Sequence, residues 1–480
     1  MELKTKVINA VRWTTTSTVL SFILQILQLG VVVSLISPTS FGIMSIVMVV
    51  VGFADIFMDA GVSNAIIQKK DINNKQLSTL YWLNIIGGVL IFFILHLITP
   101  LISHFYNEPI LENAISLISL IFIVIPFGQQ FQVLLQKELE FNKIAIIEII
   151  ANIAGTVVTI IAAFFDMQVF SLVYGQLTNT SIKTLLFFIV GIKAHRPQLY
   201  FKPKEVIDLI KFGLFQSGDR ILNYLNANID NLIIGKLLGA HVLGIYTLAN
   251  NVINMPANKI NPVITRIAYP AFSKIKDNKE ILTRNYFKVI TVLSYINFPI
   301  FFGLIFVVTN LSSDVFADKW KESIIIIQIL SVCGLLRSIG NPVGALLMAK
   351  GRADLGFKFN LVKSVFQVIT LIIASYFLDL IGIAIVKVII SIFDIVFSYK
   401  YLIKKLLGNC ISLYMKSISK SLISSVLMSL TLIIYLIVFA PKYSIETIVI
   451  QILLGGFIYI ITILRIDNSF TKSIMKNSKG

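Results

Sequence analysis

Nine residues beginning at Asn223, NYLNANIDN, place four asparagines and an aspartate in the middle of an apolar stretch. Asp219, Asn223, Asn226 and Asp230 stand at i, i+4, i+7 and i+11, so on a helix all four share one face. A carboxamide donates and accepts together, and a carboxylate accepts or carries a proton. Neither sits in apolar surroundings without partners except at a cost. A second polar face, Thr14, Thr18, Ser21, Gln25 and Gln28, lies in the first apolar stretch. A third, Asn250, Asn254, Asn258 and Asn261, lies near Lys259, where Pro256 and Pro262 supply kinks. The chemistry open to such faces is non-covalent: they line a polar, wet cleft. A charge at the centre of a membrane helix costs about 2.5–3.5 kcal/mol. Asp55, Asp59, Asp219, Arg220, Asp230, Lys259 and Arg337 on a lipid face would cost on the order of 20 kcal/mol, so they are paired or hydrated.

Covalent chemistry finds little footing. His96, His104, His195 and His241 are scattered without HExxH or other ligand spacing, so no metal site is expected. Gly235-Lys236 is followed by leucine and has no upstream glycine cluster, which excludes a phosphate-cradling loop and ATP hydrolysis by this chain. Cys333 and Cys410 have no metal-ligand spacing and imply no disulfide framework. Gly340-Asn-Pro-Val-Gly344 fits a close or kinked helix contact. The expectation is a chain that is not an enzyme and carries no cofactor.

The elements that must position the polar faces follow from composition. The 480 residues are 56% hydrophobic and 14% charged, with a mean hydropathy of +0.87. Apolar runs of about 20 residues recur with short polar breaks, the length that crosses a bilayer core roughly 30 Å thick. Alternating barrel strands would read differently. The fold class is therefore an all-α polytopic membrane protein with about fourteen transmembrane helices. Among these spans are 13–36, 41–67, 110–135, 168–191, 208–236, 243–270 and 444–465. The first is too long for a signal peptide, lacks a small-residue cleavage site and leads straight into the second, so it is retained. The net charge of +17 is unevenly distributed: Lys4, Lys6, Arg12, Lys137, Lys143, Arg196, Lys202, Lys204, Lys404 and Lys405 fall in alternate loops. The intervening loops hold only Lys236, Lys319, Lys321 and Lys442. This positive-inside bias puts both termini in the cytoplasm and makes the basic partner anionic lipid, with no nucleic acid implied.

Sliding the chain by 202 residues lays Gly42 over Gly244, and Ser17, Ser21 and Gln28 over Asp219, Asn223 and Asp230. An even-membered repeat returns the chain to the same side, so the units are parallel, related by an axis along the membrane normal. The expected organisation is an N-terminal six-helix lobe over 1–200, a second over 201–405, and two further helices with a cytoplasmic tail over 406–480. The polar faces of spans one and seven would then meet across a central cleft.

Residues 223–252, NYLNANIDNLIIGKLLGAHVLGIYTLANNV, closely resemble the N-x-D-x-x-x-I-G-x-x-L-G-x-x-x-L-G-x-Y-x-x-A segment of polysaccharide exporters. These are the O-antigen and colanic-acid type flippases of the multidrug/oligosaccharidyl-lipid/polysaccharide exporter superfamily. GFADIFMDAGVSNAIIQKK, residues 52–70, is similar to the family's second-span F-x-D-x-G-x-x-x-A-x-I-Q, but Ile56-Phe57-Met58 separates Asp55 from Asp59, so either acid matches. The resemblance extends over nearly the whole chain. It implies a V-shaped transporter in a bacterial cytoplasmic (inner) membrane, carrying undecaprenyl-diphosphate-linked oligosaccharide between leaflets for surface polysaccharide such as lipopolysaccharide. Polysaccharide polymerase and glycosyltransferase machinery would be its partners. Within that frame Asn223, Asn226, Asn250 and Gln25 suit sugar hydroxyls, with Asp230 and Gln28 beside them in the cleft. Arg220, Arg337 and Lys259 suit a diphosphate, and Asp55, Asp59 and Asp219 are candidates for coupling or gating. Two other readings stay open. One is a drug exporter of the same superfamily, which would favour an acidic, aromatic cleft. The other is a membrane polymerase or ligase, which would need a long outward loop.

Overall fold

The computed structural model describes residues 2–59, 63, 66–67, 72–193, 195–310, 318–439 and 445–467. Every described segment with regular structure is helical. The chain forms two compact units, Met1–Gly244 and Ile245–Gly480.

In the first unit, α1 (Glu2–Leu35), α2 (Pro38–Asp59) and α3 (Asn74–Tyr106) are long enough to cross a bilayer. A capping box starts α3: the Gln76 amide donates to Asn73 Oδ1 at 2.8 Å, and the Asn73 amide returns to Gln76 Oε1 at 3.4 Å. Asn107 closes the helix in the left-handed conformation, φ 57°. Leu90, Ile94, Leu97 and Leu101 repeat at helical spacing and are exposed, as a lipid-facing stripe should be.

The fourth expected span, 110–135, is divided into α4 (Ile110–Ile118), α5 (Ile121–Val124) and α6 (Pro126–Lys137), with a 52° bend before Pro126. Proline removes one amide donor there and crowds the preceding turn. Gly88 of α3 accepts the bend, since a Cβ on it would stand 2.2 Å from the Phe122 carbonyl oxygen. α7 (Phe141–Phe164) and α8 (Val169–Gly191) follow as a hairpin.

α9 (Ile207–Lys274) is one helical run with a break at Gly239, φ 84° and ψ 173°, a conformation that only glycine adopts without strain. Spans 208–236 and 243–270 lie on either side of that break. The second unit continues with α10 (Lys279–Asn310), α11 (Lys321–Gly340), α12 (Val343–Ala349), α13 (Ala353–Phe377) and α14 (Leu380–Ser398). A π-turn over Tyr399–Ile403 leads into α15 (Lys404–Leu407), α16 (Ile411–Phe439) and α17 (Ile445–Ile466).

By length and apolarity, eleven helices among the described residues can cross a membrane, or twelve with the bent pair counted as one span. The expected fourteen is not reached by this measure for two physical reasons. The two sides of Gly239 merge into one apolar run, Arg220–Lys259. α8 carries Gln176, Asn179 and Lys183 and is too polar to qualify.

Lipid tails are as apolar as leucine, so helix association inside a bilayer relies on close packing and interhelical hydrogen bonds. The first unit shows both. α1 lies on α7 through a polar ladder: Ser17 Oγ to Glu148 Oε2 at 3.5 Å, Asn152 Nδ2 to Ser21 Oγ at 2.9 Å, and Thr156 Oγ1 to Gln28 Oε1 at 3.1 Å. Asn179 Nδ2 of α8 donates to Asn152 Oδ1 at 2.8 Å, and Gly155 and Gly175 let the two backbones approach. In the second unit, Ser421 donates to the Ser294 carbonyl at 2.7 Å, Tyr459 donates to the Tyr295 carbonyl at 2.9 Å, and Tyr295 donates to Asp467, which Lys420 also reaches at 2.9 Å.

α2 crosses the Ala240–Gly244 stretch at backbone distance. A Cβ on Gly42 would stand 1.8 Å from the Ala240 carbonyl oxygen, and one on Gly244 would stand 1.8 Å from that of Pro38. Adding 202 to Pro38 and Gly42 gives Ala240 and Gly244, and Thr39 Oγ1 meets His241 Nδ1, again 202 residues away, at 3.5 Å. Contacts that repeat reciprocally at one offset are those of a local twofold axis.

Candidate functional site

The site is a cluster of intramembrane charges in the first unit. Asp59, at the end of α2, is nearly buried and gathers four hydrogen bonds. Arg220 Nη1 donates to Oδ2 at 2.8 Å, while Gln129 Nε2 at 3.2 Å, the Ser63 amide at 3.3 Å and the Ser63 hydroxyl all donate to Oδ1. These four donors hold the carboxyl group in place.

Arg220 is different. Its side chain is 40% exposed against 11% for Asp59, and its described bonds use a single N–H of a five-donor fork. Among the described residues its other donors have no hydrogen-bond partner, and such an edge suits an anion.

Asp55 lies one turn before Asp59 and is exposed, with no hydrogen bond or ion pair among the described residues. The charges that act on it are Asp59, Arg220 and Lys183. Lys183 stands in α8, its Nζ 6.0 Å from the centre of the Phe187 ring. One turn along α7 and α8 from the Asn152–Asn179 bond are Glu148 and Lys183, so three acids and two cations mark this part of the unit.

Tyr224 fixes the geometry. Its hydroxyl donates to the carbonyls of Met48 and Val49, at 3.2 and 3.0 Å, and the ring lies so close to Gly52 that a Cβ there would be 2.2 Å from the phenol oxygen. At the far end of the same stretch Lys236 donates to the Phe105 carbonyl and lies 4.6 Å over the Phe105 ring. The polar stretch starting at Asn223 is thus held at both ends against α2 and α3.

The sequence-nominated residues divide accordingly. Asp55, Asp59 and Arg220 come together. Asn223 is exposed, Asn226 half-buried, and Asp230 buried with a partner of its own. Asp219 lies on α9, but its side chain falls outside the described residues, as do 60–62, 64–65 and 68–70 of the second motif. Asn250, Lys259 and Arg337 belong to the second unit; Lys259 and Arg337 are exposed and Asn250 is half-buried.

Gln28 is half-buried and uses its amide between helices. Its Oε1 accepts from Thr156 and its Nε2 donates to Thr159 Oγ1 at 3.4 Å, so it serves the α1–α7 ladder with Ser21. Gln25 and Thr14 on the same helix are exposed, and Thr18 bonds back to the Thr14 carbonyl at 2.8 Å. Asp59 is the described ion-pair partner of Arg220. Residues overlooked in the sequence are Gln129, Tyr224, Glu148 and Lys183. The last two are charges inside expected spans and meet the same test that singled out Asp55.

The described residues of this cluster pair and orient charge. Residues 31–325 match the family described as "Polysaccharide biosynthesis protein". The chain is 41% identical over 404 residues to the lipopolysaccharide biosynthesis protein WzxC of Escherichia coli (strain K12), covering 84% of this chain and 82% of that one. It is 36% identical over 464 residues to a membrane protein in the cps region of Klebsiella pneumoniae, covering 96% of each. Its fold is similar to that of the lipid II flippase MurJ in an inward closed conformation, with a TM-score of 0.72 at 15% identity, covering 95% of this chain and 98% of that one. The chain is a multi-pass membrane protein that belongs to the polysaccharide biosynthesis protein family.

Proposed function

We propose that this protein is a flippase that moves an undecaprenyl-diphosphate-linked oligosaccharide from the cytoplasmic to the outer leaflet of a bacterial cytoplasmic membrane, by alternating access, for surface polysaccharide biosynthesis. The observation that carries the reading is Arg220: an intramembrane guanidinium that, among the described residues, gives one bond to Asp59 and leaves the rest of its fork open, in a chain of this family. A diphosphate arriving there meets a cation that is already oriented and still has donors to give.

In this reading Arg220, Lys259 and Arg337 serve the diphosphate, while Asn223, Asn226, Asn250 and Gln25 serve sugar hydroxyls. Asp55, Asp59 and Asp219 exchange partners during the cycle. Asp59 competes with the phosphate for Arg220, so leaving the site restores the ion pair and helps release the substrate. The reciprocal contacts of Pro38, Gly42, Ala240 and Gly244 support two parallel lobes, 1–200 and 201–405, followed by the two helices of 406–480. Both termini are cytoplasmic, the substrate is handed over by glycosyltransferases and received by a polymerase, and the chain itself catalyses no covalent step.

The test uses cells lacking the gene. Flippase loss should stop surface polysaccharide and leave lipid-linked repeat units in the inner leaflet, with both reversed by the wild-type protein. Normal polysaccharide in such cells, together with lost efflux of cationic dyes, would instead identify a drug exporter.

A further inference from the structure

The linker between α8 and α9 takes no part in the charge cluster, yet it is built more firmly than a connection requires. Its backbone lies along the first turns of α3: the Gln198 amide donates to Ser78 Oγ at 2.9 Å, Trp82 Nε1 donates to the Gln198 carbonyl at 2.9 Å, and the Lys202 amide donates to Thr79 Oγ1 at 3.3 Å. Gln76 Nε2 reaches the Glu205 carbonyl at 3.3 Å, and His195 is buried.

What this rigid segment shows to its surroundings is the reverse of a soluble loop. Leu199 sits at the tip of a tight turn, closed by the Tyr200 amide on the Gln198 carbonyl at 2.8 Å, and is 95% exposed. Phe201 and Ile207 are each 47% exposed. Arg196, Lys202 and Lys204 surround them, all exposed, and Lys75 and Lys202 place Nζ 5.3 and 5.4 Å from the centre of the Tyr200 ring. Glu205, the acid of residues 195–207, is occupied by the Tyr200 hydroxyl at 2.6 Å and by Lys202 at 3.9 Å.

An apolar tip in a basic collar, fixed to the end of a membrane-spanning helix beside Trp82, has the chemistry of a bilayer interface. Apolar groups enter the acyl boundary, indole and phenol rings sit at headgroup depth, and cations meet phosphate. We infer that residues 195–207 are a membrane-surface anchor: Leu199 and Phe201 enter the bilayer, and Arg196, Lys202 and Lys204 take the headgroups of anionic phospholipid. The leaflet, the cytoplasmic one, follows from the proposed orientation. The connection between α8 and α9 is thereby held on the membrane plane, and anionic lipid becomes a ligand of the transporter.

The test uses the full chain with Cys333 and Cys410 replaced by serine and an environment-sensitive fluorophore on Leu199→Cys, in nanodiscs of phosphatidylcholine with or without phosphatidylglycerol. Leu199 is exposed, so the label removes no internal packing. The expected result is blue-shifted emission quenched by shallow spin-labelled lipid, strengthened by phosphatidylglycerol. Arg196→Glu, Lys202→Glu and Lys204→Glu should each weaken the partition at least about fivefold. A label at Asp277→Cys should report water in both lipids. Quenching of the 199 label by aqueous iodide but not by lipid would overturn the anchor and leave the surface to a soluble partner. Equal lipid quenching with and without phosphatidylglycerol would overturn the anionic-lipid assignment. Neither result bears on whether oligosaccharide is carried.

Discussion

At the scale of single residues, the Asp59–Arg220 pair separates two roles that one substitution confounds. If Arg220 only neutralises Asp59, the double substitution Asp59→Asn/Arg220→Gln restores transport, because no buried charge is left alone. If Arg220 also holds phosphate, the double variant stays defective. Loss of one charge-assisted contact costs about 1.5–3 kcal/mol, roughly ten- to a hundredfold in affinity. We expect the defect to persist, and surface-polysaccharide output at matched membrane levels decides. Arg220→Lys should rescue in part, since an ammonium keeps the charge but not the fork. Gln28 is predicted to behave in the opposite way. Its amide is used between α1 and α7, so Gln28→Leu should lower the unfolding midpoint in detergent by the equivalent of about 0.6–1.7 kcal/mol while transport persists. Normal stability with lost transport would return Gln28 to the cleft.

At the scale of elements, backbone approach sets the tolerances. Gly42→Ala pushes a methyl group into the Ala240 carbonyl, a backbone atom with no rotamer to escape into, and overpacking of this kind costs about 1–3 kcal/mol. Gly30 on α1 has nothing within 4 Å of the place where a methyl group would stand, so Gly30→Ala should be neutral or slightly stabilising. Thermal unfolding of the two variants side by side checks the crossing of α2; equal midpoints would refute it. The linker carries a pH signature. Burial holds the His195 imidazole below its ordinary value of 6.5. The unfolded chain then binds a proton that the folded chain refuses. The stabilising contribution is complete above pH 6.5 and is lost as pH falls through and below it. His195→Gln should flatten that part of the stability profile, and an unchanged slope would assign the dependence to another group.

At the scale of the whole molecule, the bias of Lys and Arg among the loops makes a topological prediction that needs no site residue. Reporters fused after Lys204 and after Asp379 should lie on opposite faces of the membrane, with Lys204 cytoplasmic. Both on one face would break the span order on which the repeat rests. The reciprocal meeting of Gly42 with Ala240 and Gly244 with Pro38 shows why that order matters: an offset visible as faint sequence similarity reappears as a symmetric contact.

Helix class, membrane residence and most span limits were legible in the sequence because they depend on local properties: apolar length, turn residues and loop charge. The last helix, Ile445–Ile466, lies close to the expected span 444–465, and the polar face at Asn223 was visible because amides in an apolar helix stand out by composition alone. Which of those polar groups pair was not legible. Asp59 finds Arg220 and Gln129, and Gln28 finds Thr156 and Thr159, through helices far apart in sequence whose rotation about their axes is set by glycine contacts at Gly52, Gly155 and Gly175. A helical face tells that a group is turned away from lipid. Only tertiary packing decides whether it meets another helix or open water, because both satisfy the same hydrogen-bonding requirement equally well.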